Sequence, residues 1–266
     1  MKKLLILSAG VMLFACNSNK PAETTEEAEK KVKYSDLVVD NLKGNVESMT
    51  ETAYKVDSTG KVGDMDSCCV DLVVYDENGN ATSYVSKNSK GTIKTESVFT
   101  RHENGLWTGS KETRDGKPSG GMQVEVDSTG KYGVARAFDS TGKMTVYYNT
   151  TAMNEFGQVQ AWKEYDKDSV FRQEWEATFD RQMMVSSVMK DSVGNVKNKW
   201  SAKYNEKGEQ IETSNTRFQK DTTTTVRKYT YDSHDEMGNW TQRTEWNDKG
   251  KAAKALKRTF VYRKSE

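Results

Sequence analysis

Two histidines, His102 and His234, stand alone in the chain, neither with a second histidine or a cysteine at metal-ligand spacing, so no zinc site is expected. There is no Gly-x-Ser-x-Gly elbow and no phosphate-cradling glycine loop ahead of a helix, which removes serine-hydrolase and nucleotide chemistry. Acids are plentiful, 39 Asp and Glu in 266 residues, and two of them brought within about 5–10 Å could hydrolyse a glycoside. Their spread along the chain fits solvated strand faces better, and no catalytic residue, metal or cofactor is assigned. Cys68 and Cys69 are adjacent; on a regular strand their side chains point to opposite faces, and a bond between them would strain the backbone. Two small, partly buried side chains are the simpler reading, with a redox disulfide, an intermolecular bridge or a thiol metal site as alternatives. Asp followed by Ser or Thr, then Thr or Val, occurs six times and places hydroxyls at Ser58, Ser128, Ser140, Ser169, Ser192 and Thr222. Asp and Ser favour turns on their own account, so these hydroxyls are expected at turn positions.

The elements that must position these groups are read from one repeated turn. Asp or Asn followed three residues later by Gly recurs from Asp57/Gly60 to Asn247/Gly250, ten times in all, with Asp-Ser-Thr-Gly-Lys repeated identically at 57–61, 127–131 and 139–143. The Asx side chain closes the turn onto the backbone and the glycine accepts positive φ, the recipe for a hairpin with a G1 bulge. Between the tips the period is two. Asn198, Trp200, Ala202 and Tyr204 share one face against Lys197, Lys199, Ser201 and Lys203, and Phe171, Trp175, Ala177 and Phe179 oppose Arg172, Glu174, Glu176 and Thr178. Helical periodicity is confined to residues 34–43 and a stretch from Lys251 to Lys257. The expected fold is all-β: a long antiparallel meander of about sixteen strands, as a folded-over sheet or an open or flattened barrel.

Forty basic side chains against the 39 acids leave no bulk charge to attract nucleic acid. Two prolines, 19 glycines and 26 aromatics argue for a folded body. A membrane barrel is tested by which face meets lipid: Lys197, Lys199 and Lys203 there would cost up to about 10 kcal/mol together, whereas an outward apolar face would resemble a porin wall. A closed barrel of this strand number has a lumen too wide for side chains to fill, so the sheet must fold over, curl open or hold something. Its Trp, Tyr and Met then form ordinary core, or line a groove for a lipid or peptide. The last strand, carrying Lys251, Lys254, Lys257, Arg258, Arg263 and Lys264, reads as a charge-protected edge, or as a basic patch for an anionic glycan or lipid.

Lys2 and Lys3 precede an apolar run from Leu4 to Phe14 that ends in Leu13-Phe14-Ala15-Cys16. The run is too short for a spanning helix, and its ending resembles a bacterial lipoprotein lipobox. That resemblance implies a signal peptide over 1–15, cleavage before Cys16 and acylation of Cys16, anchoring the chain to a bilayer. Residues 17 to about 33 are almost free of apolar side chains and read as a solvated tether; Glu23, Glu26, Glu27 and Glu29 look like a surface-export signal of some Gram-negative lipoproteins. The expected organisation is 1–15 signal peptide, 16–41 lipidated cysteine and tether, 42–266 hairpin-repeat domain. The six Asp-Ser/Thr turns resemble acceptor sequons of a bacterial envelope O-glycosylation system.

Val74-Tyr75-Asp76-Glu77-Asn78-Gly79-Asn80, Tyr229-Thr230-Tyr231-Asp232 and Tyr204-Asn205-Glu206-Lys207-Gly208 resemble degenerate YD repeats of the Rhs type. Residues 42–263 as a whole are similar in style to envelope lipoproteins of unknown function with repeated hairpins. The resemblance implies a fold and no catalytic residue. The expected function is an envelope lipoprotein, in the outer membrane at its periplasmic face or the cell surface, acting as a non-catalytic binding or structural module for a protein, glycan or lipid ligand. The alternatives are a glycan-acting hydrolase with strand-borne carboxylates and a toxin-associated or immunity protein.

Overall fold

The computed structural model describes residues 35–264. A single helical turn, α1 (Asp36–Val39), precedes sixteen strands: β1 (Val46–Val56), β2 (Val62–Tyr75), β3 (Ala81–Lys87), β4 (Ile93–Arg101), β5 (Trp107–Arg114), β6 (Lys117–Val126), β7 (Tyr132–Phe138), β8 (Met144–Met153), β9 (Val159–Asp166), β10 (Phe171–Asp180), β11 (Met183–Asp191), β12 (Val196–Tyr204), β13 (Gln210–Arg217), β14 (Thr223–His234), β15 (Trp240–Asn247) and β16 (Ala252–Tyr262). Every strand pairs antiparallel with its sequence neighbours, and β1 pairs with β16, so the meander is a closed barrel. The open or folded-over sheet is thereby narrowed to full closure.

All ten expected Asx-x-x-Gly tips form, each glycine N–H donating to the Asx carbonyl. At the first, Asp57 Oδ1 accepts from Thr59 N at 2.9 Å, Thr59 Oγ1 at 2.6 Å and Lys61 N at 3.0 Å, while Gly60 takes φ +90°. These contacts hold the Asp57 carboxyl below the ordinary aspartate range. Ser169 takes the left-handed position at its own tip with φ +62°, at a steric cost that glycine avoids.

Two readings of the C-terminal stretch are corrected. Lys251 closes a turn and the residues from Ala252 to Lys257 form strand, not helix, and β16 is no edge, since it is paired on both sides. The reason is the inward row Leu256, Arg258, Phe260 and Tyr262, of which Leu256 packs with Ala53 and Trp240. Phe260 and Tyr262 pack on the cluster of Leu37, Leu42, Val46, Met49 and Tyr75, and Arg258 Nε donates to Glu51 at 2.8 Å. Arg263 then clamps the seam, donating to Val46 O at 3.0 Å and to the Tyr75 carbonyl.

Residues 35–45, which fall partly within the expected tether, form a strap across one mouth of the barrel. Ser35 Oγ and Leu37 N donate to Gly79 O at 3.1 and 3.0 Å. Asp36 accepts from Ala81 N at 2.7 Å and Arg101 at 2.5 Å. On the far side Asn41 Nδ2 reaches Lys207 O at 3.1 Å, and Lys43 N donates to Asn239 Oδ1 at 2.7 Å. Leu37, Leu42, Val46, Met49 and Tyr75 form the main buried cluster beneath it, so the densest apolar packing sits at this end and not along the barrel axis.

The inward face is fixed by a cavity that Phe179, Trp200, Tyr204, Tyr231, Arg243 and Arg258 line together; residues from β10 to β16 can share a cavity only inside the barrel. Lys197, Lys199, Ser201 and Lys203 consequently point outward and are exposed, as are Arg172, Glu176 and Thr178. Outer-wall aromatics such as Tyr147 and Tyr165 stack on each other, ring centroids 5.1 Å apart, with the Lys163 ammonium over Phe171, which the bulge between Phe171 and Gln173 turns outward and off the face it was expected to share with Trp175. Lys and Arg facing lipid at mid-depth cost about 2–4 kcal/mol each, so this wall is built for water.

At Gly79 (φ +78°) a Cβ would come within 2.5 Å of Ser35 Oγ and 2.9 Å of Leu37 Cδ1, whereas at Gly142 (φ +79°) it meets nothing within 4 Å. Both Gly→Ala changes incur the left-handed penalty of about 1–2 kcal/mol, but Gly79→Ala must also displace the strap. Urea unfolding is expected to show the larger loss for Gly79→Ala; equal losses would mean that the strap adds nothing to stability.

Candidate functional site in the barrel lumen

Cavities of about 610, 460 and 380 Å³ open into the lumen. The 460 Å³ cleft is chiefly apolar and lies against β5 to β10, where Trp107, Met122, Val124, Tyr148, Trp162 and Trp175 supply its wall. Register creates it: Trp162 of β9 sits directly opposite Trp175 of β10, and the rings stack at 6.0 Å and 16°. Tyr148 of β8 meets Trp162 edge-on at 5.1 Å, the arrangement favoured by ring quadrupoles. Tyr132 closes the mouth side, accepting from Trp107 N at 2.8 Å, and burial pushes its hydroxyl up to about 12.

One charged group enters this cleft. Glu164 pairs across the ladder with Gln173, whose Nε2 donates to it at 2.8 Å. Burial, then the neighbouring Glu164 charge and hydrogen bond, raise the pKa of Tyr148. Among the described residues Glu164 forms no ion pair, because Lys163 beside it points to the outer wall and lies over Phe171 at 5.9 Å.

The opposite side of the lumen is basic and polar. The 610 Å³ cavity is lined by Arg217, Arg227, Asn215, Thr213, Asp221 and Tyr229 among others. Arg227 and Lys254 both pair with buried Glu245, and Arg243 lies over the rings of Tyr229 and Trp240 at 5.0 and 4.7 Å. Burial lowers the pKa of Arg258, while Glu51 beside it works the other way. The third cavity lies under the strap, with Val39, Asp40 and Asn41 in its lining. At its rim Glu209 accepts from Asn205 at 2.7 Å and meets His234 Nε2 at 2.5 Å. Burial alone would raise Glu209, but these two contacts outweigh it and hold the carboxyl below its usual range.

The residues singled out from sequence do not converge. Cys16 lies outside the described residues. Ser58, Ser140, Ser169, Ser192 and Thr222 are exposed on tips at the rim away from the strap, and Ser128 is exposed on the strap side. His102 is a turn residue whose Nδ1 accepts from Asn104 N at 3.3 Å, and among the described residues no three His, Cys, Asp or Glu gather to hold a metal. Cys68 and Cys69 are not on regular strand. The ladder skips from Met65↔Tyr54 to Val70↔Thr52, so both lie in a bulge, Cys69 with φ +69°. The alternation expected to hold their side chains on opposite faces is therefore broken. Sequence reasoning missed the cleft itself, because Trp162, Glu164, Gln173 and Trp175 become neighbours only through the β9–β10 register.

No family model matches the chain, and no curated protein matches it. Among solved structures it is similar to a porin-like protein from Bacteroides uniformis ATCC 8492, with TM-score 0.53 and 10% identity over 81% of this chain and 96% of that one. At this identity the likeness is one of fold: an all-antiparallel barrel. A match to the TcdB2-TccC3 structure covers 73% of this chain and 12% of that one at 12% identity, but its TM-score of 0.29 carries no weight.

Glu209 gives a pH-dependent prediction. A carboxyl whose folded pKa lies below its ordinary value of 4.5 contributes stability above that value and loses it as pH falls through the folded pKa. Glu209→Gln is expected to cost about 1–3 kcal/mol at pH 7 and to flatten the acid limb of stability. Denaturant titrations from pH 7 to 3 check this, and parallel acid limbs in both proteins would contradict it.

Proposed function

We propose that this chain is a lipid-anchored protein of the cell envelope, in the outer membrane, whose barrel is a non-catalytic binding module that takes a small ligand into its lumen. The observation that carries the reading is the sidedness of the wall, with a 460 Å³ aromatic cleft inside and lysines and acids outside. A cleft of this size, mostly apolar with a few convergent polar groups, is the usual form of a small-ligand site. A charged outer wall leaves membrane attachment to something other than the barrel. The lipobox-like Leu13-Phe14-Ala15-Cys16 supplies it, since two or three acyl chains at Cys16 hold a water-facing domain on a bilayer. The hydrolase alternative draws no support from the cleft, whose lining holds one carboxylate, Glu164, where glycoside hydrolysis uses a pair.

Two measurements test the reading. Cys16→Ser is expected to move the protein from the membrane pellet to the soluble fraction and to remove the acyl mass from the intact chain; a wild-type mass that retains Met1 without acyl groups contradicts the anchor. N-phenyl-1-naphthylamine, a neutral apolar probe, is expected to brighten on binding, and Trp162→Ala to weaken it about tenfold, the loss of roughly 1.4 kcal/mol of aromatic contact. Absence of saturable binding would contradict the lumen as a ligand site.

A further inference from the structure

We propose that the β5–β10 cleft selects an organic cation, an ammonium group carried on an apolar body, with Glu164 as its counter-charge. The inference rests on the binding reading above and names the chemistry of that ligand. Glu164 is the one carboxylate in the cleft lining, which holds no Lys, Arg or His. It bonds to the neutral Gln173 amide at 2.8 Å and to the Tyr148 hydroxyl, and has no cationic partner among the described residues. A carboxylate facing apolar surroundings without a counter-ion is costly, and a bound cation offsets that cost where a neutral ligand does not.

The aromatic geometry points the same way. Trp162 and Trp175, stacked on each other, and Tyr148, edge-on to Trp162, line the same cleft as the carboxylate, and electron-rich ring faces attract an alkylammonium where they would repel an anion. The rest of the lumen sharpens the selectivity. Arg217 and Arg227 line the cavity against β12 to β14, so the lumen runs from a basic side to an aromatic side bearing the carboxylate. An anion is drawn to the former and a cation to the latter. Met122 and Val124 offer the apolar surface on which the body of the ligand would lie.

The probes are phenyltrimethylammonium and its neutral isostere tert-butylbenzene, titrated into the folded barrel with tryptophan fluorescence as the readout, for wild type and Glu164→Gln. The expected result is that Glu164→Gln weakens phenyltrimethylammonium about tenfold and leaves tert-butylbenzene within about twofold. The unchanged neutral probe then shows that the variant cleft is intact. Equal effects on both probes, or no effect on either, would overturn the cation assignment and leave the cleft a plain apolar site. Cellotetraose binding that depends on Glu164 while phenyltrimethylammonium fails to bind would overturn it in favour of a glycan. If neither probe binds wild type, the cation assignment and the lumen reading it rests on both fail.

Discussion

The pairing of β1 with β16 is the constraint on which everything else depends. Until that ladder forms, sixteen hairpin-joined strands make an open sheet with one apolar face in water and two unpaired edges. The register that joins them, Met49 opposite Phe260, Glu51 opposite Arg258 and Ala53 opposite Leu256, is set by side chains as well as by backbone. The Arg258–Glu51 bond and the Leu256–Ala53–Trp240 contact select it, because a slip of one residue would turn the row outward. The strap reinforces the same seam: Leu37 and Leu42 pack with Val46, Met49, Phe260 and Tyr262, so the segment that covers the mouth also buries the ends of the closing strands.

Closure at sixteen strands has a physical consequence that smaller barrels escape. At about eight strands side chains fill the interior, and at sixteen they do not. The wide lumen here is furnished asymmetrically, with rings and Glu164 against β5 to β10 and arginines against β13 to β16. Part of the basic side is neutralised in place by Glu245 and Glu51. The aromatic side has no such compensation, and this inequality makes it the better candidate for a ligand. A membrane porin's wall has the opposite sidedness, apolar outward and polar inward, and the similarity to a porin-like protein is one of fold alone.

Much of the fold was legible because its rules are local. An Asx-x-x-Gly tip fixes its own hairpin within five residues, and the alternation of Trp200 and Tyr204 against Lys199 and Lys203 marks two faces without reference to any other strand. Strand number and antiparallel order follow from those two signals. What the sequence did not disclose is non-local. Closure depends on residues such as Glu51 and Arg258, 207 positions apart, and the basic stretch at 251–264 resembles an edge unless its partner is known. The strap was obscured because seven polar or small residues surround Leu37 and Leu42, whose burial is decided by distant Tyr75 and Tyr262. The Cys68–Cys69 bulge was hidden for a similar reason, since two apolar-looking cysteines in a long strand give no sign that the ladder skips them. Of the cleft only Trp175, on its apolar face, was legible, because its meeting with Trp162 beside Glu164 required the β9–β10 register.

The central claim is that the charged face of this barrel meets water while the apolar face encloses the ligand space. A nitroxide placed at Lys199→Cys, with Cys68 and Cys69 changed to serine and the protein assayed in the presence of phospholipid vesicles, tests it directly. Its relaxation should respond strongly to a water-soluble nickel chelate and weakly to oxygen. The reverse, strong oxygen and weak nickel response, would place Lys199 in lipid and contradict the account.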